Sequence, residues 1–169
     1  LAESLKQMVV VENRPGAGGT LGAELVAKAP PDGSTLLLSD AGVVTISPAL
    51  YPRLGYAQKD LAPVVNLAQF ANVLVAPPRL PANTLAELVA QDRANPGRLS
   101  IASSGNGTSP HLTAELLKQA TGMKLTHVPY KGSGPAISDT TGGQVDMVFT
   151  GYATVSGLIR TGKLKALAV

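Results

Sequence analysis

Leu99-Ser-Ile-Ala-Ser-Ser-Gly-Asn-Gly-Thr-Ser-Pro-His111 is a short apolar run that breaks into small polar residues and reopens as a helix. Leu99 to Ala102 reads as a strand, bounded by Pro96-Gly97 before it and Gly105 after it. Beyond Pro110, Leu112, Leu116, Leu117 and Ala120 recur at helical spacing. Ser109 is then the expected N-cap and Pro110 the first helical residue, where a missing N–H costs nothing. The expected consequence is a set of unpaired amides at Gly105, Asn106, Gly107, Thr108 and His111, facing the positive end of the helix dipole. Such a cradle suits a carboxylate.

The same order of elements recurs twice. Leu125 to Val128 runs into Pro129-Tyr-Lys-Gly-Ser-Gly134 and a helix from Pro135, and Val145 to Phe149 runs into Thr150-Gly-Tyr-Ala-Thr154 and a helix from Val155. In a parallel sheet with right-handed crossovers all three loops fall at the carboxyl ends of the strands, where open α/β sheets bind ligands. The fold class is therefore α/β, and the site is expected at those loops.

Working back toward the start, Met8 to Val11 reads as a strand, followed by a glycine-rich loop and a helix from Leu21 to Ala29 capped by Thr20. Thr35 to Leu38 reads as the next strand, running into Ser39 to Thr45. Ser47 to Lys59 shows no periodicity. Val64 to Ala68 and Val73 to Ala76 are β-rich runs interrupted by polar residues, as a crossing between two lobes would be. Thr84 and Glu87 form a capping box for a helix to Ala94. The expected division is residues 1–71, 72–163 and 164–169.

With 15% charged residues, no cysteine and a net charge of +3 from scattered side chains, the 169-residue chain offers no basic run for nucleic acid and no thiol chemistry. It has no stretch of about 18 apolar residues. Leu1, Leu5 and Met8 form an uncapped amphipathic pattern and Leu164 to Val169 is an unclosed apolar run, so both ends read as cut. The exposed edges this implies would be covered by self-association or by further chain.

Gly16-Ala-Gly-Gly-Thr-Leu-Gly22 after a strand, with Asp40 at the end of the next, invites a dinucleotide-binding enzyme as the alternative; Glu12 to Pro15 intervene between strand and glycine, against that spacing. There is no P-loop. Two histidines, His111 and His127, are too few and too separated for a metal site. His111 is a candidate ligand donor, and His127 reads as structural. Ser104, His111 and Asp139 or Asp146 supply triad residue types without the Gly-x-Ser-x-Gly turn. Lys131 is a cation in a site loop, flanked by Tyr130 and Tyr152. Asp146 reads as a structural acceptor. A third reading is an association module with no ligand.

Val10-Val-Glu-Asn-Arg-Pro-Gly-Ala-Gly-Gly19, Pro31-Asp-Gly33, Ser103 to His111, His127-Val-Pro-Tyr-Lys-Gly132 and Gly143-Gln-Val-Asp146 together resemble the Bug-type periplasmic solute-binding receptors of tripartite tricarboxylate transporters. The resemblance implies a two-lobed periplasmic binding protein type II fold, with an incomplete first lobe in 1–71, a nearly complete second lobe in 72–163, and the start of a return crossover in 164–169. It further implies a periplasmic receptor that captures a small carboxylate between lobes and passes it to a membrane permease, with no catalysis, cofactor or metal. The expected ligand-binding residues are Ser104, Gly105, Asn106, Gly107, Thr108, Ser109, His111, Tyr130, Lys131, Gly132, Ser133 and Thr150, with Asp40 and Thr45 from the first lobe.

Overall fold

The computed structural model describes residues 1–169. Its helices are α1 (Ala2–Leu5), α2 (Thr20–Ala27), α3 (Gly42–Thr45), α4 (Ser47–Leu50), α5 (Leu85–Ala94), α6 (Ser109–Thr121), α7 (Ser133–Gly142) and α8 (Tyr152–Arg160). Its strands are β1 (Asn72–Ala76), β2 (Ser100–Ser103), β3 (Thr126–Pro129), β4 (Met147–Gly151) and β5 (Lys165–Ala168), with 3₁₀ turns at Ala17–Gly19 and Gln58–Asp60. The five strands form one sheet in the order β3-β2-β4-β1-β5. β2 is parallel to both β3 and β4, whereas β1 runs antiparallel to β4 and β5. Lys165–Ala168, expected to begin a return crossover, thus lies at the edge of this sheet beside β1.

Alternation along the strands divides the core between the two faces of the sheet. Leu74, Ala76, Ile101, Met147 and Phe149 pack with Leu88 of α5 and Ala114 of α6. Val73, Val75, Ala102 and Val148 turn the other way, onto Ala136 of α7 and Val155 of α8. Both faces are covered, so β1, β2 and β4 are buried almost throughout. Thr84 caps α5 as its spacing predicts, accepting from the Glu87 amide at 3.2 Å, while the Glu87 carboxylate reaches back to the Asn83 amide at 2.7 Å.

Residues 1–71 are built differently. Their core is a small cluster of Ala23, Val43 and Tyr56, edged by Leu37, Leu54 and Leu61. The expected strands at Met8–Val11 and Thr35–Leu38 do not form, and the β-rich run Val64–Ala68 stays irregular, because no segment of the chain lies alongside to complete their hydrogen bonds. Their side chains face solvent instead, with Met8, Val11, Leu38 and Val64 each at least 80% exposed. Two helix starts also differ from expectation. The cap of α2 is Gly19, with Thr20 already helical and its hydroxyl turned back to the Ala17 carbonyl; the cap of α6 is Thr108, one residue earlier than Ser109. Short helix α3 forms within the stretch read as the Ser39–Thr45 loop, and α4 within Ser47–Lys59, which had no readable periodicity. No helix is long and apolar enough to cross a membrane.

Candidate functional site

The carboxyl ends of β2, β3 and β4 lie side by side at one edge of the sheet and open into α6, α7 and α8. The register aligns them: Ser103 is opposite Pro129 and Ala102 opposite Val148, so Ser104, Tyr130 and Thr150 stand in one row where the strands end. The loops are tied to one another by backbone bonds from Tyr130 N–H to the Ser103 carbonyl at 3.0 Å and from Gly132 N–H to the Ser104 carbonyl at 3.1 Å. Tyr130 also donates its hydroxyl to Asp139 at 2.8 Å, and burial together with that carboxylate raises its pKa. Lys131 is exposed and in no ion pair, Ser133 opens α7, and buried Thr150 shares a hydroxyl contact of 3.1 Å with Thr154.

The Gly105–Thr108 turn is more fully satisfied than its sequence implies. Gly105 N–H donates to Ser103 Oγ at 3.2 Å, Thr108 N–H to the Gly105 carbonyl at 3.3 Å, and Gly107 N–H to His111 Nδ1 at 3.1 Å. The amides left for a ligand are that of Asn106 and those of the first turn of α6, Ser109 and His111. His111 therefore acts on the turn as an acceptor in this arrangement. Ser104 donates to Thr108 Oγ1 at 3.1 Å, and Thr108 Oγ1 donates to the Gly105 carbonyl at 2.7 Å.

Segments from residues 1–71 close over this turn. The α-carbon of Gly18 comes so near the Asn106 carbonyl that a Cβ would sit 2.5 Å from its oxygen. A Cβ on Gly42 would sit 3.2 Å from the Gly107 carbonyl, and Gly107 itself faces Leu50 and Tyr51. Tyr51 donates its hydroxyl to the Asn106 carbonyl at 3.0 Å. Asp40 and Thr45, expected as ligand contacts, hold α3 in place: Asp40 Oδ1 accepts from Gly42 N–H at 2.7 Å and Thr45 Oγ1 donates to the Ala41 carbonyl at 2.8 Å. The missing side chain of Gly107 makes room for Leu50 and Tyr51.

Three residues that sequence reasoning passed over or undervalued belong to this edge. Asn72, at the start of β1, donates through Nδ2 to Ser109 Oγ at 2.7 Å and to Thr113 Oγ1 at 3.0 Å, and its buried Oδ1 has no partner. A polar residue at the head of an apolar strand was the available signal. Tyr51 carried none, since its reach across 55 residues is purely tertiary. His127 lies within β3 as expected, but its ring stacks on His111 with centroids 4.4 Å apart and its Nε2 is 2.7 Å from Ser103 Oγ. Burial, and then His111, depress its pKa.

Two enzyme readings fail on geometry. For the dinucleotide alternative, Met8–Val11 forms no strand ahead of the Gly16–Gly22 loop, and Gly18 is packed against Asn106, so the space a pyrophosphate needs is filled. For a triad, Asp139 serves Tyr130, while Asp146 lies at the opposite end of the sheet, accepting from Ser100 N–H and Oγ at 2.9 and 2.8 Å and facing Arg79 at 3.6 Å. No three His, Asp or Glu side chains converge as a metal site would require.

The whole chain, residues 1–169, matches the family described as Tripartite tricarboxylate transporter family receptor. It is 43% identical over its full length to the UPF0065 protein in the tcbD-tcbE intergenic region of Pseudomonas sp. (strain P51), covering 50% of that protein. Among solved structures, it is similar to R. palustris Rpa4515 with adipate, at 33% identity and a TM-score of 0.95, over 99% of this chain and 56% of that one. It is also similar to MatC (Rpa3494) from Rhodopseudomonas palustris with bound malate, at 34% identity and a TM-score of 0.89, over 98% and 56%. The chain spans about half the length of the curated relatives it matches. The matched family is one of receptors, not of enzymes, and an α/β sheet whose strand ends open into helix N-termini suits that role: the chain belongs to the tripartite tricarboxylate transporter receptor family.

Proposed function

We propose that this chain is part of a periplasmic receptor that captures a small carboxylate between two lobes and delivers it to a membrane permease. Residues 1–71 contribute to the first lobe and 72–163 form the second, with β5 of 164–169 at the edge of its sheet where the return to the first lobe begins. The observation that carries the reading is the row of three adjacent strand ends, each opening into a helix N-terminus whose first-turn amides have no partner in their own helix. A carboxylate placed there meets the Asn106 and α6 amides and the hydroxyls of Ser104, Ser109, Ser133 and Thr150, with Lys131 and Tyr130 at the rim. The acid-bound relatives support the ligand class: adipate and malate each carry two carboxylates.

Neutral donors hold an anion without a compensating buried charge, so the ligand can leave once the lobes part. Calorimetric titration with adipate, malate and citrate tests the reading, alongside a thermal-shift series. A ligand at one hundred times its Kd should stabilise the native state by about 2.7 kcal/mol. Failure of every carboxylate to bind the complete protein, with a nucleotide shifting the melt instead, would overturn it.

A further inference from the structure

The His111–His127 pair is the one titratable cluster at this edge that carboxylate capture leaves without a role. The two rings are stacked, 4.4 Å between centroids and 26° between planes, and each holds one end of the same turn. His111 Nδ1 accepts the Gly107 amide at 3.1 Å. His127 Nε2 bonds Ser103 Oγ at 2.7 Å, and that oxygen in turn accepts the Gly105 amide at 3.2 Å. An imidazole nitrogen that accepts from an N–H carries no proton, so His111 in this geometry is the neutral Nε2–H tautomer.

We propose that His111 and His127 are positioning residues forming a proton-sensitive clamp: neutral, they fix the Gly105–Thr108 turn at both ends, and protonation of His111 releases it. The chemistry has one direction. A proton on Nδ1 turns the acceptor of the Gly107 amide into a donor, so two N–H groups face each other at hydrogen-bond distance. It also places a cation in the first turn of α6, against the helix dipole, and beside a second imidazole.

The charged groups bearing on the pair are few. Glu115 lies one turn on, its Oε1 4.0 Å from His111 Nε2, and is itself bonded to Lys118 at 2.9 Å. Burial first, then His111 and Lys118, disfavour a proton on His127, and Glu115 favours one. From the other side the turn meets Tyr51, which bonds the Asn106 carbonyl and carries no charge near neutrality. Acidification therefore opens the clamp, because a proton on His111 Nδ1 removes the acceptor of the Gly107 amide.

The bearing of this clamp on ligand capture rests on the carboxylate reading; the clamp itself does not. The test is an NMR titration of the ¹⁵N-labelled complete protein from about pH 8 to about pH 5, following both imidazoles and the turn amides. The expected result is His111 as the Nε2–H tautomer at high pH. The Gly107 amide should shift with the same midpoint as His111, and its protection against hydrogen exchange, taken relative to the intrinsic rate at each pH, should fall by up to about tenfold when the bond is lost. His111→Asn keeps an acceptor that cannot titrate. It should leave the Gly107 amide indifferent to pH and move the His127 midpoint up toward its ordinary 6.5. A neutral His111 protonated on Nδ1, or a Gly107 amide that ignores the titration in the native chain, would overturn the proposal, and neither reading depends on a variant that folds. A malate titration of the same sample at fixed pH reads the carboxylate assignment separately, so either statement can fail alone.

Discussion

Gly18→Ala is the sharpest perturbation of the contact that closes residues 1–71 over the Gly105–Thr108 turn. Gly18 has φ +65°, and a Cβ there would lie 2.5 Å from the Asn106 carbonyl oxygen. Two costs combine. Holding an L-residue in the left-handed region costs about 1–2 kcal/mol. The overlap costs more, since ordinary C···O contacts begin near about 3.3 Å and the two backbones must part by about 0.8 Å. The atom in the way is a carbonyl that already accepts from Tyr51, so it cannot swing aside like the end of a flexible side chain. Overpacking of this kind adds about 1–3 kcal/mol, giving about 2–5 in all. Gly33→Ala supplies the control, because Gly33 has φ +81° with nothing within 4 Å of its would-be Cβ and so carries the backbone cost alone. Urea denaturation followed by tyrosine fluorescence should separate the two variants by at least about 1 kcal/mol, and the Asn106 and Tyr51 resonances should move in Gly18→Ala only. Equal destabilisation, with Asn106 unmoved, would mean that the glycine loop does not rest on this turn.

Asp146→Ala removes the acceptor of two Ser100 hydrogen bonds and the partner of Arg79, and should cost about 2–3 kcal/mol in a thermal melt; a loss below about 0.5 would show that water replaces the carboxylate. Thr84→Ala deletes the α5 cap and should cost about 1 kcal/mol by the same assay, with Thr84→Ser recovering most of it. Because the folded state depresses the His127 pKa, the unfolded chain takes up the proton first. Stability should therefore be full above the unfolded value near 6.5 and decline as pH falls from there to the folded value, a slope that His127→Gln should flatten. Native-state hydrogen exchange should find β1, β2 and β4 the slowest amides and residues 1–71 the fastest; uniform protection would contradict the unequal cores.

What the sequence made legible divides along the line between local and non-local causes. The units around Ser100–Ser103, Thr126–Pro129 and Met147–Gly151 were readable because each strand, loop and helix announces itself within about thirty residues, and parallel pairing follows from their order. Thr84 and Glu87 were readable for the same reason. The hydrogen-bond partners of Asp40, Thr45 and Gly107 were not. Polar type and loop position mark a residue as available for a ligand, but Asp40 is spent on its own helix start, and the amide of Gly107 on His111, by geometry that no spacing encodes. Tyr51 was invisible as a site residue because its partner lies 55 residues away, and the polar head of β1 marked Asn72 without showing its partner 37 residues away.

The unformed strands at Met8–Val11 and Thr35–Leu38 and the irregular run Val64–Ala68 carry the same lesson from the other side. β-Branched and aromatic content measures how well a segment would fit a pleated, half-buried surface; it does not supply the neighbour that makes the surface. Val73 and Val75 meet that demand because β4 and β5 flank them, and they are almost wholly buried, whereas Val10 and Val64, of the same residue type, stand more than three-quarters exposed. Residues 1–71 meet the rest instead through close backbone approaches at Gly18 and Gly42 and the hydroxyl bond of Tyr51, all onto one turn. That turn is also where the unpaired amides lie and where the two histidines bind from beneath. Any event that moves it, whether anion, proton or added Cβ, therefore acts on both parts of the chain at once.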